Sequence, residues 1–184
     1  MGSEMCIRDR FLTAGHCSHN NRSNNWYHDG KAGNGFIGSR TATAFATTNP
    51  NNPKSYDVMR VQTADVQASD DVFGESGDLQ GYYLNSQLYN GMPVCKSGQV
   101  TNVTCGTITK KWDTWTSNTC NCTQYGTDAN YSSSGGDSGS PVYRRVTLQS
   151  GAPGLFAVGI HAHSGGHFAR MRDALVQLNV TLVT

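Results

Sequence analysis

Gly135-Gly136-Asp137-Ser138-Gly139-Ser140-Pro141-Val142 sets a serine in a turn flanked by glycines. Glycine lets the backbone bend sharply there, leaving main-chain N–H groups free to face a developing oxyanion. A serine hydroxyl is a weak nucleophile near neutral pH and needs a base within hydrogen-bond reach, itself held by a third group. Far upstream, Thr13-Ala14-Gly15-His16-Cys17 offers a histidine. Between the two lies Ser55-Tyr56-Asp57-Val58-Met59-Arg60-Val61, where Asp57 opens an apolar, strand-like stretch. A carboxylate so placed can be buried and can fix the imidazole tautomer. Asp29, Asp65, Asp70 and Asp71 are the competing aspartates.

The order His16, Asp57, Ser138 is that of chymotrypsin-like enzymes and differs from those of subtilisins and α/β-hydrolases. From about Phe11 to its end the chain resembles the trypsin/chymotrypsin clan of serine proteases, in the short bacterial secreted branch of streptogrisins and α-lytic protease. Three motifs carry the resemblance: Phe11–Cys17, Gly136–Pro141, and the Cys95 to Cys105 stretch within Val94–Ile108. Ser140 stands where many relatives have glycine. The resemblance implies an all-β fold of two six-stranded Greek-key β-barrels with a short C-terminal helix, the first barrel incomplete at its N-terminus. Residues 11–80 would form that partial barrel, with His16 and Asp57; residues 81–184 would form the second, with Ser138, and the helix.

It further implies a secreted, monomeric serine endopeptidase acting on polypeptides through His16, Asp57 and Ser138. The N–H groups of Gly136 and Ser138 would form the oxyanion hole. No metal or organic cofactor is implied, and an N-terminal pro-region would belong to the missing sequence. Cys95 and Cys105 would form a disulfide closing a hairpin, and Lys96 would pair with Asp137 to shape the oxyanion loop. The substrate side-chain pocket would be walled by Ser132–Gly135 and Ile160–Gly166. No aspartate stands where trypsin-like specificity needs one; Ser132 falls near it. On the second wall Ala162 replaces the usual serine and His163 the usual aromatic, with Ser164 beside it. His161 matches a position where glutamate-specific relatives carry a histidine that binds the substrate carboxylate, so the resemblance implies an acidic preference through His161 as one option. Acidic, small, aromatic and broad preferences all stay open. His161 and His163, alternating on a strand, would share one face, without a clear third ligand for a metal.

Met1–Arg10 has no pattern suited to a strand, signal peptide or propeptide. Codon by codon it back-translates to GTG GGC TCG GAG ATG TGT ATA AGA GAC AG plus one base, which matches a transposon-end adapter used in sequencing libraries. The expectation is that residues 1–10 are adapter-derived and that natural upstream sequence is missing. Cys6 then leaves the cysteine arithmetic, and Cys17 loses its partner. Cys120 and Cys122 either bridge each other or reach elsewhere.

Charged residues make up only 15% of the 184, and glycine numbers 21. That balance favours short strands and many turns. A formal charge of +1 gives no electrostatic case for nucleic acid or an anionic membrane. No apolar run approaches the ~20 residues that span a bilayer. Strands are predicted at Phe36–Arg40, Thr43–Thr47, Asp57–Gln62, Pro93–Ser97, Thr104–Thr114, Ser140–Arg145 and Gly154–His161. Surface loops are predicted at Asn20–Asn25 and Asn49–Pro53, an inter-barrel crossing at Val72–Gln87 and a helix at Asp173–Leu178. Two other functions compete. A non-catalytic binding protein on the same fold would ordinarily have lost a triad residue, and all three are kept. A secreted esterase or lipase would set its serine between strand and helix, whereas Pro141 and β-like sequence follow Ser138.

Overall fold

The computed structural model describes residues 5–7, 10–18, 24–27, 35–46, 55–64 and 69–184. The loop expected at Asn49–Pro53, most of that at Asn20–Asn25, and Asp29 and Asp65 lie outside them. The first sheet holds β1 (Met5–Ile7), β2 (Arg10–Thr13), β3 (Asn25–Tyr27), β4 (Phe36–Thr43) and β5 (Met59–Thr63). Its spatial order is β1-β2-β5-β4-β3, every neighbour antiparallel. Alternation makes β5 a wall of the core: Met59, Val61 and Thr63 are buried, while Arg60 and Gln62 are partly exposed.

The second sheet takes β6 (Leu79–Tyr82), β7 (Pro93–Gly98), β8 (Asn102–Ser117), β9 (Cys122–Ala129), β10 (Pro141–Thr147), β11 (Pro153–His163) and β12 (His167–Arg170). Pairing runs β10-β7-β8-β9-β12-β11, and β10 also pairs with β11. Six strands therefore close on themselves, which removes their free edges. β6 lies outside the ring, parallel to β11. The expected boundary at 80–81 falls within β6. The interior is apolar, with Leu88, Met92, Val94, Ile108, Val142, Val158 and Phe168 all buried.

Cys95 and Cys105 stand directly opposite in the β7–β8 register and are bonded to each other. Cys120 and Cys122 are bonded across the β8–β9 tip, where Asn121 adopts a left-handed conformation, φ 49°. No helix among the described residues is long and apolar enough to cross a membrane.

Several predicted boundaries are corrected. Of the stretches 36–40 and 43–47, the described residues hold one strand, β4, which ends at Thr43 before a turn at Phe45-Ala46; Thr47 lies outside them. Asp57 precedes β5 because Val58 N–H closes back on the Tyr56 carbonyl at 2.8 Å, bending the chain. The crossing at 72–87 contains β6 and a short 3-10 turn at Asn85–Gln87. β1, β2, β3, β9 and β12 are not among the predicted strands, and β1 falls inside Met1–Arg10, which offers no strand pattern of its own but pairs along β2; β9 has no apolar alternation to reveal it. The strand expected from Ser140 begins at Pro141, and that expected to end at His161 runs to His163.

The C-terminal helix α1 spans Met171–Leu178, starting two residues before the predicted Asp173. Met171, Ala174, Leu175 and Leu178 share one buried face. They join Leu12, Tyr56 and Val58 of the first half and Leu155, Ala157 and Ile160 of the second in a single cluster. The left-handed residue Asn179 ends α1, and Val180 N–H reaches the Leu175 carbonyl at 3.0 Å. Truncation at Leu175 leaves a cavity where the halves meet. Leu175→Ala is expected to lower unfolding stability by about 2–4 kcal/mol, read from the shift of a urea denaturation midpoint.

Candidate functional site

His16 sits in a one-turn 3-10 helix, Gly15–Ser18, immediately after β2. Gly15 has no room for a side chain, because a Cβ there would overlap Phe45. Asp57 is almost fully buried and is held in two ways: Oδ1 accepts the His16 main-chain N–H at 2.8 Å, and Oδ2 lies 2.6 Å from His16 Nδ1. The same carboxylate therefore positions both the backbone and the ring of His16. Burial disfavours the imidazolium, but the Asp57 hydrogen bond and charge, together with the Cys17 sulfur, outweigh it and raise His16 to about 10. Cys17 is a free cysteine whose Sγ is 3.8 Å from His16 Nε2.

The turn carrying Ser138 is packed onto the histidine segment. Gly139, at φ 91°, lies so close to Thr13 and the Ala14 N–H that any Cβ would collide. Gly139 N–H donates to the His161 carbonyl at 2.8 Å, and His161 N–H donates to the Ser140 carbonyl at 2.8 Å. The turn is thus stitched to β11 on one side and pressed on Thr13 on the other. Among the described residues, the N–H groups of Gly136 and Ser138 take no protein acceptor. Ser138 Oγ, partly exposed, makes no hydrogen bond among those residues; His16 Nε2 has the Cys17 sulfur beside it instead. Such links are commonly loose in unliganded sites and tighten with substrate.

Asp137 is the anchor of this turn. Its carboxylate is fully buried and accepts from Lys96 Nζ at 3.0 Å and Thr101 Oγ1 at 2.7 Å. The main-chain N–H groups of Val100, Thr101 and Ser134 add three further hydrogen bonds, at 2.9, 3.2 and 3.0 Å. Burial opposes ionisation, yet these donors hold the carboxyl well below the usual carboxylate range. At Gly136, φ 104°, an added Cβ would run into the Val100 side chain.

Of the residues expected around the pocket, Ser132, Gly135, His163 and Ser164 are exposed, while His161 and Ala162 are buried. His161 and His163 do not share a setting as simple alternation required, because the β11–β12 register is irregular between them. His161 Nδ1 meets the Tyr131 hydroxyl at 3.0 Å, whereas the His163 ring lies 6.0 Å from that of His167. Burial, with the charge of Lys96 nearby, lowers His161 to about 3.

Solved structures share this architecture. A glutamic acid specific serine protease, described as using a novel histidine triad in substrate binding, superposes with a TM-score of 0.70 at 24% identity, over 98% of this chain and 91% of that one. Chymotrypsin from Cellulomonas bogoriensis gives 0.67 at 21% identity, over 99% and 90%. Nocardiopsis protease gives 0.68 at 22%, over 100% and 91%. The chain has the chymotrypsin-like serine protease fold. No protein-family model and no curated protein matches it.

Within that fold, sequence reasoning missed Tyr131, the main-chain donors to Asp137, and the approach of Cys17 to His16. Tyr131 adjoins Ser132, the only signal available for it. The donors of Val100, Thr101 and Ser134 are backbone groups and leave no trace in residue type.

Lys96→Met strips the carboxylate of its counter-charge and is expected to cost about 3–5 kcal/mol, the usual loss when one partner of a buried pair is removed. The sign with pH follows from Asp137. A carboxyl whose folded value is depressed stabilises the fold above its unfolded value and loses that contribution as pH falls through the folded one. Acid denaturation of Lys96→Met, followed by circular dichroism, is therefore expected to begin at higher pH than in the unaltered chain.

Proposed function

We propose that this chain is a secreted serine endopeptidase that cleaves polypeptides through an acyl-enzyme. The observation that carries the reading is the double hold of Asp57 on His16, beside a serine turn with two unengaged N–H groups. Ser138 Oγ attacks the peptide carbonyl while His16 Nε2 accepts its proton and passes it to the leaving amine. Asp57 orients the imidazole and favours its cation. The N–H groups of Gly136 and Ser138 receive the tetrahedral oxyanion, each such donor being worth on the order of 10²–10³ in rate. Water then repeats the sequence against the ester.

Extracellular location is supported by the two disulfides, which persist in oxidising compartments. Ser132, Gly135, His161, Ala162, His163 and Ser164 would border the pocket for the side chain on the acyl side. The similar protease is described as binding substrate through histidines, and His161 is proposed to meet that side chain here.

Ser138→Ala is expected to lower peptide hydrolysis by about 10⁴-fold or more, measured on a mixed peptide library by mass spectrometry, with unchanged circular dichroism. Only neutral His16 can accept the serine proton, and it is raised to about 10. Activity should therefore rise with pH along a limb displaced well above the ordinary histidine value of 6.5. Cys17→Ala removes the sulfur's contribution and should move the limb downward. A limb at or below the ordinary value in both proteins would contradict this reading.

A further inference from the structure

His161 lies 1% exposed against the nucleophile turn. Tyr131 is also buried, 3% exposed, and its hydroxyl has one partner among the described residues, His161 Nδ1 at 3.0 Å. A phenol has one hydrogen to give, and leaving it unmade in a sealed site is costly. Tyr131 therefore donates, Nδ1 accepts, and the ring proton of neutral His161 sits on Nε2. That Nε2 makes no hydrogen bond among the described residues. Yet it is not one of the buried polar atoms cut off from solvent, as Trp26 Nε1 and Trp115 Nε1 are. The site thus offers one N–H donor of fixed direction.

The surrounding charges decide what that donor accepts. Lys96, the cation with the largest effect on His161, is already paired with Asp137 and Thr101. His16, when charged, is already paired with Asp57 at 2.6 Å. His163 is exposed and turned towards His167. Burial and Lys96 both oppose an imidazolium at position 161. A carboxylate entering here would leave water without meeting a free counter-charge, a costly transfer; an amide carbonyl would accept the same hydrogen bond without that penalty.

Resting on the protease reading, we propose that the pocket selects a side chain with an uncharged hydrogen-bond acceptor, glutamine above glutamate, and that Tyr131 is the positioning residue that makes it do so. Leucine, lacking an acceptor, leaves the Nε2 proton buried and unpaired, so it is rejected too.

The test uses the whole chain and peptides identical except for Gln, Glu or Leu on the acyl side of the scissile bond. At a pH where glutamate is ionised, kcat/KM for Gln is expected to exceed that for Glu and for Leu by about tenfold or more. In Tyr131→Phe the Gln-to-Leu ratio should collapse by about tenfold, whereas general structural damage lowers both rates and leaves the ratio. His161→Leu supplies a second variant and should reverse the ratio in favour of Leu. Equal or better cleavage of the Glu peptide, or a ratio unmoved in both variants, overturns this proposal while leaving the protease reading intact. Cleavage of none of the peptides, nor of the mixed library, overturns both.

Discussion

One buried carboxylate governs the geometry of the reactive turn. Asp137 carries full burial and collects five hydrogen bonds, from one ammonium, one hydroxyl and three main-chain N–H groups. Such a charge is tolerable in the interior only while these partners are in place. They come from β7, from the β7–β8 connection and from the segment just before Ser138. The arrangement therefore ties distant pieces of chain to the residue next to Ser138. With Asp137 fixed, Gly136 and Ser138 on either side of it keep their N–H groups unspent.

The two halves of the molecule meet around that turn. Gly139 touches Thr13, and the His161 and Ser140 main chains are hydrogen-bonded, so the second barrel presents the serine to the histidine of the first. α1 reinforces the junction, its apolar face packing on residues of both halves. Ser55, two residues before Asp57, is also tied across the junction: it bridges to Gln124, whose amide donates to Ser55 Oγ at 2.9 Å and to Cys122 Sγ at 3.0 Å. The placement of Asp57 thus depends on the far barrel as well as on its own.

Much of this was legible in the chain, for physical reasons that differ from residue to residue. Gly136 and Gly139 around Ser138, and Gly15 beside His16, are written into the sequence because contact or left-handed φ forbids other residues there. Asp57 was readable because a lone carboxylate opening an apolar stretch is costly without a purpose. The β5 and β11 strands showed as β-branched and apolar runs. β9 and β12 did not, since their stability comes from pairing within a closed ring, where Phe168 of β12 stands opposite Thr127 of β9. The pocket was least legible: the register irregularity between His161 and His163 is a tertiary effect, and Tyr131 acts through a single hydrogen that composition does not record.

The most direct test of this account is the rate at which a fluorophosphonate probe attaches covalently to Ser138 in the unaltered chain and in Asp137→Asn. The account predicts one label, located by mass spectrometry on Ser138, forming about a hundredfold more slowly in the folded variant, as expected when oxyanion donors are misplaced. Labelling of both proteins at the same rate, or labelling at a serine other than Ser138, would contradict it.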